Sequence, residues 1–286
     1  MYEKFYQLRE KPFSLAPDPA YLYMAQRHRN ALTMLEYVLA EASGFALITG
    51  EVGCGKTTVV RHFLERLDRK IKVALITNTH PGMGALLPWV VESLGLGAGQ
   101  LSPSELYRRF ARHAKREYDA GQRIVLVIDE AQNLGVGGLE ELRVLSNLNT
   151  GKEMVLQTIL IGQPELRNLL RLNELRQFAQ RIAIEYHLEP LQLEETFAYV
   201  RHRLRVAGGH SELFVPDALT LIHACTGGVP RLINTVCDTA LVYAFSEQRP
   251  AVEADIVEQL VQERVAGGLL QVKGTHKADR SSLSLG

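Results

Sequence analysis

Eight residues, Gly50 to Thr57, have the types and spacing that bind nucleoside triphosphates. They follow the phosphate-loop pattern G-x-x-x-x-G-K-S/T. In such a loop the glycines let backbone N–H groups point at phosphate oxygens, Lys56 reaches the β- and γ-phosphates, and the Thr57 hydroxyl is a ligand for Mg²⁺. The predicted nucleotide contacts in this stretch are Gly50, Glu51, Val52, Gly53, Cys54, Gly55, Lys56, Thr57 and Thr58. The alternative is a glycine-rich turn that only resembles a phosphate loop.

Two carboxylates, Asp129 and Glu130, directly follow the apolar run 124–128. At the carboxyl end of a buried parallel strand they would face a bound nucleotide, because ligands bind at that edge of such sheets. Asp129 is predicted to hold Mg²⁺, and Glu130 to act as the general base that polarises the attacking water. An Asp-Glu pair also occurs in ordinary turns, so its position downstream of a phosphate loop supports the catalytic interpretation.

Further polar residues downstream are candidates to complete the site. Gln163 ends the next apolar run and is predicted to contact the γ-phosphate or the attacking water, unless its amide only satisfies the local backbone. Arg176 and Arg181 are candidates for a guanidinium supplied to a neighbouring subunit's site, although most such arginines are simply solvated. Arg231 follows Pro230 at a predicted helix start, where a cation opposes the helix dipole. That placement favours a nucleotide contact over a surface salt bridge.

The three cysteines form neither a disulfide framework nor a metal-type pair, so free thiols are expected. Cys54 lies inside the phosphate loop, close in sequence to Lys56 and to a predicted helix start. Both features can lower a thiol pKa. A secondary hypothesis is therefore that Cys54 is sensitive to oxidation.

The elements that position these residues can be predicted from hydrophobic periodicity. Apolar runs at 45–49, 71–76, 124–128 and 155–161 predict strands, and segments with helical spacing lie between them. Strands that alternate with helices favour an α/β fold of the P-loop NTPase class, with a parallel sheet covered on both faces. Beyond Leu191 the patterns are helical, which predicts a separate, small all-helical domain.

The predicted organisation has four segments. They are a linker and first helix at 1–45, an αβα nucleotide-binding domain at 46–190, a helical domain at 191–270 and a disordered polar tail at 271–286. The 32 basic and 32 acidic residues balance, so the chain has no global positive field to attract nucleic acid or anionic membrane. No apolar run approaches the roughly 18 residues that span a bilayer, and the start lacks a secretory layout, so a cytosolic location is expected.

The motifs together resemble those of AAA+ ATPases of the ExeA/GspA type and of related ATPases encoded beside exosortase and exopolysaccharide loci. The matching segments are MYEKFYQLREKPFSLAPDP, RHRNAL, LITGEVGCGKTT, VIDEAQNL, LEELRVLSNL, ILIGQPELR, LRQFAQRI, YHLEPLQLEET, YVRHRLRVAG and GGVPRLINTVCD. The resemblance implies an AAA+ αβα core, a helical lid, an amino-terminal linker beside the adenine, and rings that hold ATP and Mg²⁺ at subunit interfaces. The resemblance also implies roles for the polar candidates: Gln163 is similar to the sensor 1 residue of the family and Arg231 to the sensor 2 residue. Arg176 or Arg181 is similar to its arginine finger. Adenine rather than guanine is also implied by the family alone.

The resemblance implies an ATP-hydrolysing oligomer that serves envelope assembly, in secretion or polysaccharide export. Its expected partners are further copies of itself and an envelope or membrane protein, with a position in the cytoplasm or peripherally at the inner membrane. Longer members of the family continue into a transmembrane helix and a peptidoglycan-binding region that this sequence lacks, so direct action on the cell wall is not expected.

Two alternatives remain open. One is an ATP-gated, DNA-binding regulator of the transposition type, with Lys152, Arg143 and the pair Arg108 and Arg109 on one surface. The balanced net charge makes DNA the less expected partner. The other is a nucleotide-regulated adaptor that turns over slowly.

Overall fold

The residues that a computed structural model of the chain describes are 1–16, 18–41, 44–77, 79–149 and 154–266. Lys152 and the predicted tail lie outside them. The helices of the described residues are α1 (Tyr2–Phe5), α2 (Gln26–Ala40), α3 (Lys56–Glu65), α4 (Leu86–Ser93), α5 (Pro103–Asp119), α6 (Gly135–Leu145), α7 (Pro164–Leu170), α8 (Arg176–Ala179), α9 (Leu193–Val206), α10 (Pro216–Thr226), α11 (Pro230–Ser246) and α12 (Ala254–Ala266). Within this described part of the chain, none of the helices combines the length and apolarity that a membrane crossing requires.

Contacts divide the chain into two units. The sheet unit comprises Gln26–Glu189, and the helical unit comprises Met1–Ala25 together with the described residues from Pro190 onward. This division differs from the predicted segments, because the first 25 residues belong with the carboxyl-terminal helices and α2 belongs with the sheet.

Five parallel strands form the centre of the sheet unit. They are β1 (Phe45–Gly50), β2 (Ile71–Ile76), β3 (Arg123–Ile128), β4 (Leu156–Gly162) and β5 (Ile182–Leu188). Their order is β2-β3-β4-β1-β5, and every neighbouring pair is parallel. The three inner strands are buried almost throughout, which explains why their sequences are continuous apolar runs. The carboxyl ends of all five strands therefore meet at one edge of the sheet.

The edge strand β5 was missed by the sequence-based assignment. Its side chains alternate in exposure along most of its length, so no apolar run marks it. The available signal was the period-two spacing of Ile182, Ile184 and Tyr186, which is typical of a half-buried strand. This strand carries the chain from the sheet unit to Pro190.

The long helix α5 shows how sequence sets helix position in the sheet unit. Leu106, Phe110 and Ala114 recur every four residues and are buried in the apolar core that includes β3. The helix begins at Pro103, where Ser102 is the N-cap and its backbone N–H donates to the Glu105 carboxylate at 2.9 Å.

A buried arginine fixes the proline-rich amino-terminal segment within the helical unit. The side chain of Arg203 on α9 is only 6% exposed and donates to the carbonyl oxygens of Pro12 and Ser14. Its guanidinium lies 4.6 Å from the ring centre of Tyr21, within the range of a cation–π contact. The segment predicted as a linker is thus part of this unit's core.

The loop before α11 contains two glycines in the left-handed region, Gly227 at φ 58° and Gly228 at φ 75°. A Cβ on Gly228 would lie 1.9 Å from the carbonyl oxygen of Leu191, whereas a Cβ on Gly227 would meet nothing within 4 Å. The Leu191 N–H donates to the Gly228 carbonyl at 2.9 Å. Gly228 is therefore the position where the chain entering α9 and the chain entering α11 touch.

Three histidines in the two units have pKa values below their usual value of 6.5, and burial is the largest cause in each. They are His113, His187 and His202. For His113 the neighbouring Glu117 acts in the opposite direction, while Arg116 and Lys72 add to the lowering of the pKa. The His113 Nε2 atom is buried without a hydrogen-bond partner in the described structure. A proton on this ring would therefore be poorly accommodated.

We expect the protein to lose stability as the pH falls from about 7.5 to about 5. The unfolded chain binds more protons than the folded one in this window, because the folded pKa values lie below 6.5. Thermal unfolding across this range measures the effect, and His113→Phe should make the dependence shallower. A melting temperature that stays constant or rises on acidification would contradict the assignment.

Candidate functional site

The phosphate loop joins β1 to α3 at the carboxyl edge of the sheet. Gly55, at φ 95°, is the N-cap of α3, and Lys56 is the first helical residue. The Lys56 side chain is buried, and its Nζ donates to the carbonyl oxygens of Gly50 at 2.8 Å and Glu51 at 3.0 Å. A Cβ on Gly50 would lie 2.5 Å from the carbonyl oxygen of Leu188, so no side chain fits there. Strand, glycine loop and helix thus occur in the order the motif requires.

Thr57 and Asp129 lie together although they are 72 residues apart in sequence. The Thr57 hydroxyl donates to Oδ2 of Asp129 at 2.8 Å. Asp129 follows β3, and the buried Thr79 holds this strand end by donating to the carbonyl oxygens of Asp129 and Glu130 at 2.8 and 2.9 Å. Hydroxyl and carboxylate oxygens suit Mg²⁺, which usually takes one or two carboxylates and completes its shell with phosphates and waters. The residues present therefore fit this ion.

Glu130 is held in a restrained position beside this pair. Its backbone is left-handed, at φ 52° and ψ 41°, which is uncommon for a residue with a side chain. Its Oε2 atom accepts hydrogen bonds from Gln132 Nε2 at 2.6 Å and from Gln163 Nε2 at 3.0 Å. Burial raises the pKa of Glu130, but the two amide donors and Lys56 outweigh it and leave the pKa below its usual value. The carboxylate is thus ionised at neutral pH, as a general base must be.

Gln132 is a further residue of the candidate site, which the sequence motifs did not indicate. It lies in the 3-10 turn Ala131–Leu134, and its Oε1 also accepts the backbone N–H of Gln163 at 3.1 Å. Gly162 leaves room for this amide, because a Cβ there would lie 2.8 Å from Gln132 Oε1. The signal in the sequence was an amide two residues after Glu130, together with a glycine before Gln163.

The candidate arginines differ in their surroundings within their own units. Arg181 precedes β5 at the opposite, amino-terminal edge, and it donates to the Arg143 carbonyl at 3.0 Å and to the Ser146 hydroxyl. Arg176 begins α8, is exposed and forms no ion pair with the described residues. Arg231 is exposed in the first turn of α11 and belongs to the helical unit.

The hypothesis that Cys54 is redox-sensitive is wrong. The thiol is 1% exposed, and burial raises its pKa to about 11 against the lowering effect of Lys56. The thiolate needed for oxidation is therefore disfavoured, and the sulfur is shielded from solvent. Cys54 and Cys237 are buried thiols outside any disulfide.

A family model described as an AAA domain matches residues 40–170 of this chain. General secretion pathway protein A of Aeromonas hydrophila is 46% identical over 247 residues, which are 86% of this chain and 45% of that protein. The chain thus spans less than half the length of this relative.

Solved structures show the same fold at low sequence identity. The Aeropyrum pernix ORC2 protein, in ADPNP and ADP complexes, has a TM-score of 0.63 at 18% identity, covering 90% of this chain and 72% of that chain. Drosophila ORC bound to DNA has a TM-score of 0.67 at 17% identity, covering 92% of this chain and 66% of that chain. These similarities concern the fold alone.

The predicted α/β fold with an AAA core is confirmed by the matched domain and by the five-stranded parallel sheet. The resemblance to the ExeA/GspA type is confirmed by the Aeromonas relative. The chain therefore contains an AAA domain and is similar, over most of its own length, to general secretion pathway protein A.

Proposed function

We propose that this protein is a Mg²⁺-dependent ATPase that acts as an oligomer in secretion or envelope assembly. The observation that carries the proposal is the convergence of four groups at one edge of the sheet. They are Lys56 in the phosphate loop, the hydrogen-bonded pair Thr57 and Asp129, and the ionised Glu130 between two amides. The similarity to general secretion pathway protein A of Aeromonas hydrophila supports the secretion role.

Each group has a distinct task in this proposal. Lys56 and the loop N–H groups bind the phosphates, while Thr57 and Asp129 hold the ion. Bound Mg²⁺ supplies positive charge that neutralises and orients the phosphate oxygens. Glu130 takes the proton of the attacking water. Gln163 donates to Glu130 in this structure, and the same amide is the proposed contact of the γ-phosphate.

The exposure of one candidate arginine in the sheet unit supports a nucleotide site that is shared between subunits. Arg181 is committed to acceptors in its own chain, whereas Arg176 is exposed and forms no ion pair in the described part of the chain. We therefore favour Arg176 as the guanidinium that reaches a neighbouring subunit's nucleotide, and Arg231 as a nucleotide contact from the helical unit. The proposed partners are further copies of this chain and an envelope protein, with the protein in the cytoplasm or peripheral at the inner membrane.

Of the four basic residues that the DNA-binding alternative invokes, Arg108 is exposed and Lys152 lies outside the described residues, whereas the other two are engaged within the sheet unit. Arg109 donates to the carbonyl oxygens of Leu96 and Gly97, and Arg143 is paired with Glu140 at 2.7 Å. These two side chains are therefore occupied within the sheet unit rather than free to face phosphates. We do not propose DNA as a ligand.

Lys56→Ala tests the proposed function. Charge-assisted hydrogen bonds of about 1.5–3 kcal/mol are lost with the ammonium, so ATP affinity should fall by about tenfold or more. Binding of a fluorescent ATP analogue with Mg²⁺ measures this. The matched control is Lys70→Ala, an exposed lysine before β2, which should bind as the unchanged protein does. Equal binding by Lys56→Ala and the unchanged protein would refute nucleotide binding at this loop.

A further inference from the structure

The end of β5 lies beside the start of the phosphate loop. In the parallel pairing of β1 and β5, Thr49 is opposite His187 and Gly50 is opposite Leu188. Thr49 is completely buried, and its hydroxyl lies 3.0 Å from Nδ1 of His187. This hydrogen bond joins the two strands one residue before the first glycine of the loop.

Contact between the strands continues at that glycine. A Cβ on Gly50 would lie 2.5 Å from the carbonyl oxygen of Leu188, so the two backbones approach as closely as a glycine allows. The Gly50 carbonyl is in turn an acceptor for Nζ of Lys56, at 2.8 Å. The position of the β5 end therefore determines where the Lys56 acceptor lies.

The charges around His187 favour its neutral ring. Burial lowers the pKa of His187, as do Arg167 on α7 and Lys56 on α3, while Glu51 and Glu185 act in the opposite direction. A neutral imidazole can exchange one hydrogen bond with the Thr49 hydroxyl in either direction. His187 is thus suited to hold Thr49 rather than to carry a charge toward phosphate.

We propose that His187 is a positioning residue of the nucleotide site. Its hydrogen bond to Thr49 fixes the strand end that places Gly50, and Gly50 in turn orients Lys56. The bond thereby ties the phosphate loop to β5, the strand whose chain continues at Pro190 into the helical unit. The proposal rests on the proposed binding of ATP at this loop, and His187 itself acts through Thr49 rather than by touching the nucleotide.

A double-mutant cycle tests this role. Thr49→Val and His187→Leu should each weaken ATP binding about three- to tenfold, the size expected for one hydrogen bond of about 0.5–1.5 kcal/mol. The double variant should be no weaker than either single variant, because both remove the same bond. His187→Asn, whose amide can replace Nδ1, should restore affinity to within about twofold. KM should rise while kcat changes little, since Asp129 and Glu130 follow a different strand.

The matched control is Tyr186→Phe, which removes one hydrogen bond from the same strand, to the Arg27 carbonyl, and should leave ATP affinity unchanged. An equal loss in this variant, or additive losses in the cycle, would overturn the proposal. If both single variants bind ATP normally while Lys56→Ala binds it weakly, the role of His187 is refuted and the proposed function stands. If Lys56→Ala also binds ATP normally, the proposed function is refuted. Valine has nearly the same shape as threonine, so the ATP affinity of Thr49→Val can still be measured if His187→Leu does not fold.

Discussion

Glu130→Gln is expected to reduce ATP hydrolysis by about 10²-fold or more while leaving ATP bound, because the variant removes the proposed general base and keeps the proposed phosphate contacts. Lys56, Thr57 and Asp129 keep their contacts in this variant, since none of them depends on the Glu130 carboxylate. Release of inorganic phosphate under saturating ATP measures the first effect. The fraction of protein that retains ATP after rapid gel filtration measures the second.

Two companion variants sharpen this result. Glu165→Gln makes the same chemical change at an exposed residue in the first turn of α7, so it should hydrolyse ATP normally. Gln132→Ala removes one of the two amides on Glu130, so it should slow hydrolysis by less than Glu130→Gln does. Hydrolysis by Glu130→Gln at the unchanged rate would show that another group activates the water.

Gly228→Ala is expected to destabilise the helical unit by about 2–4 kcal/mol, the sum of a left-handed backbone penalty and a forced displacement of packed atoms. The added methyl group would overlap the carbonyl oxygen of Leu191, which is backbone and cannot rotate away. Urea unfolding followed by far-UV circular dichroism measures the change. Hydrogen exchange in α9 and α11 shows whether it falls in this unit.

The adjacent glycine provides the control for that variant. Gly227 also has a positive φ, but a Cβ there meets nothing within 4 Å. Gly227→Ala should therefore cost only about 1 kcal/mol, the penalty of the left-handed backbone. Similar losses of stability in both variants would mean that the contact with Leu191 is relieved by a shift of the loop.

The sequence predicted those parts of the fold and the candidate site that depend on local pattern. The inner strands were recognisable because both faces are buried and every residue is apolar, as in β3. The phosphate loop and the pair Asp129 and Glu130 were recognisable as candidates because each directly follows an apolar strand. The hydrogen bond between Thr57 and Asp129 then followed from the meeting of strand ends at one edge.

What the sequence could not predict depends on neighbours that are distant along the chain. The pKa of Cys54 was misjudged because proximity to Lys56 is visible in sequence, whereas the burial that outweighs it is not. Gln132 was missed because its contacts depend on Gly162, which lies at the end of β4 and is distant in sequence. The boundary after Ala25 was missed because prolines suggest a linker, whereas the contacts of Arg203 are made across the fold.

The buried Arg203 has a consequence for protein engineering. A recombinant fragment that starts at Pro190 would retain this guanidinium but lose its acceptors at Pro12 and Ser14 and the ring of Tyr21. It would also expose the apolar side chains that pack against Tyr2, Phe13 and Tyr21 in the core of this unit, so such a fragment would be prone to misfolding and aggregation. Expression of the helical unit alone therefore requires residues 1–25, supplied in the same chain or as a peptide.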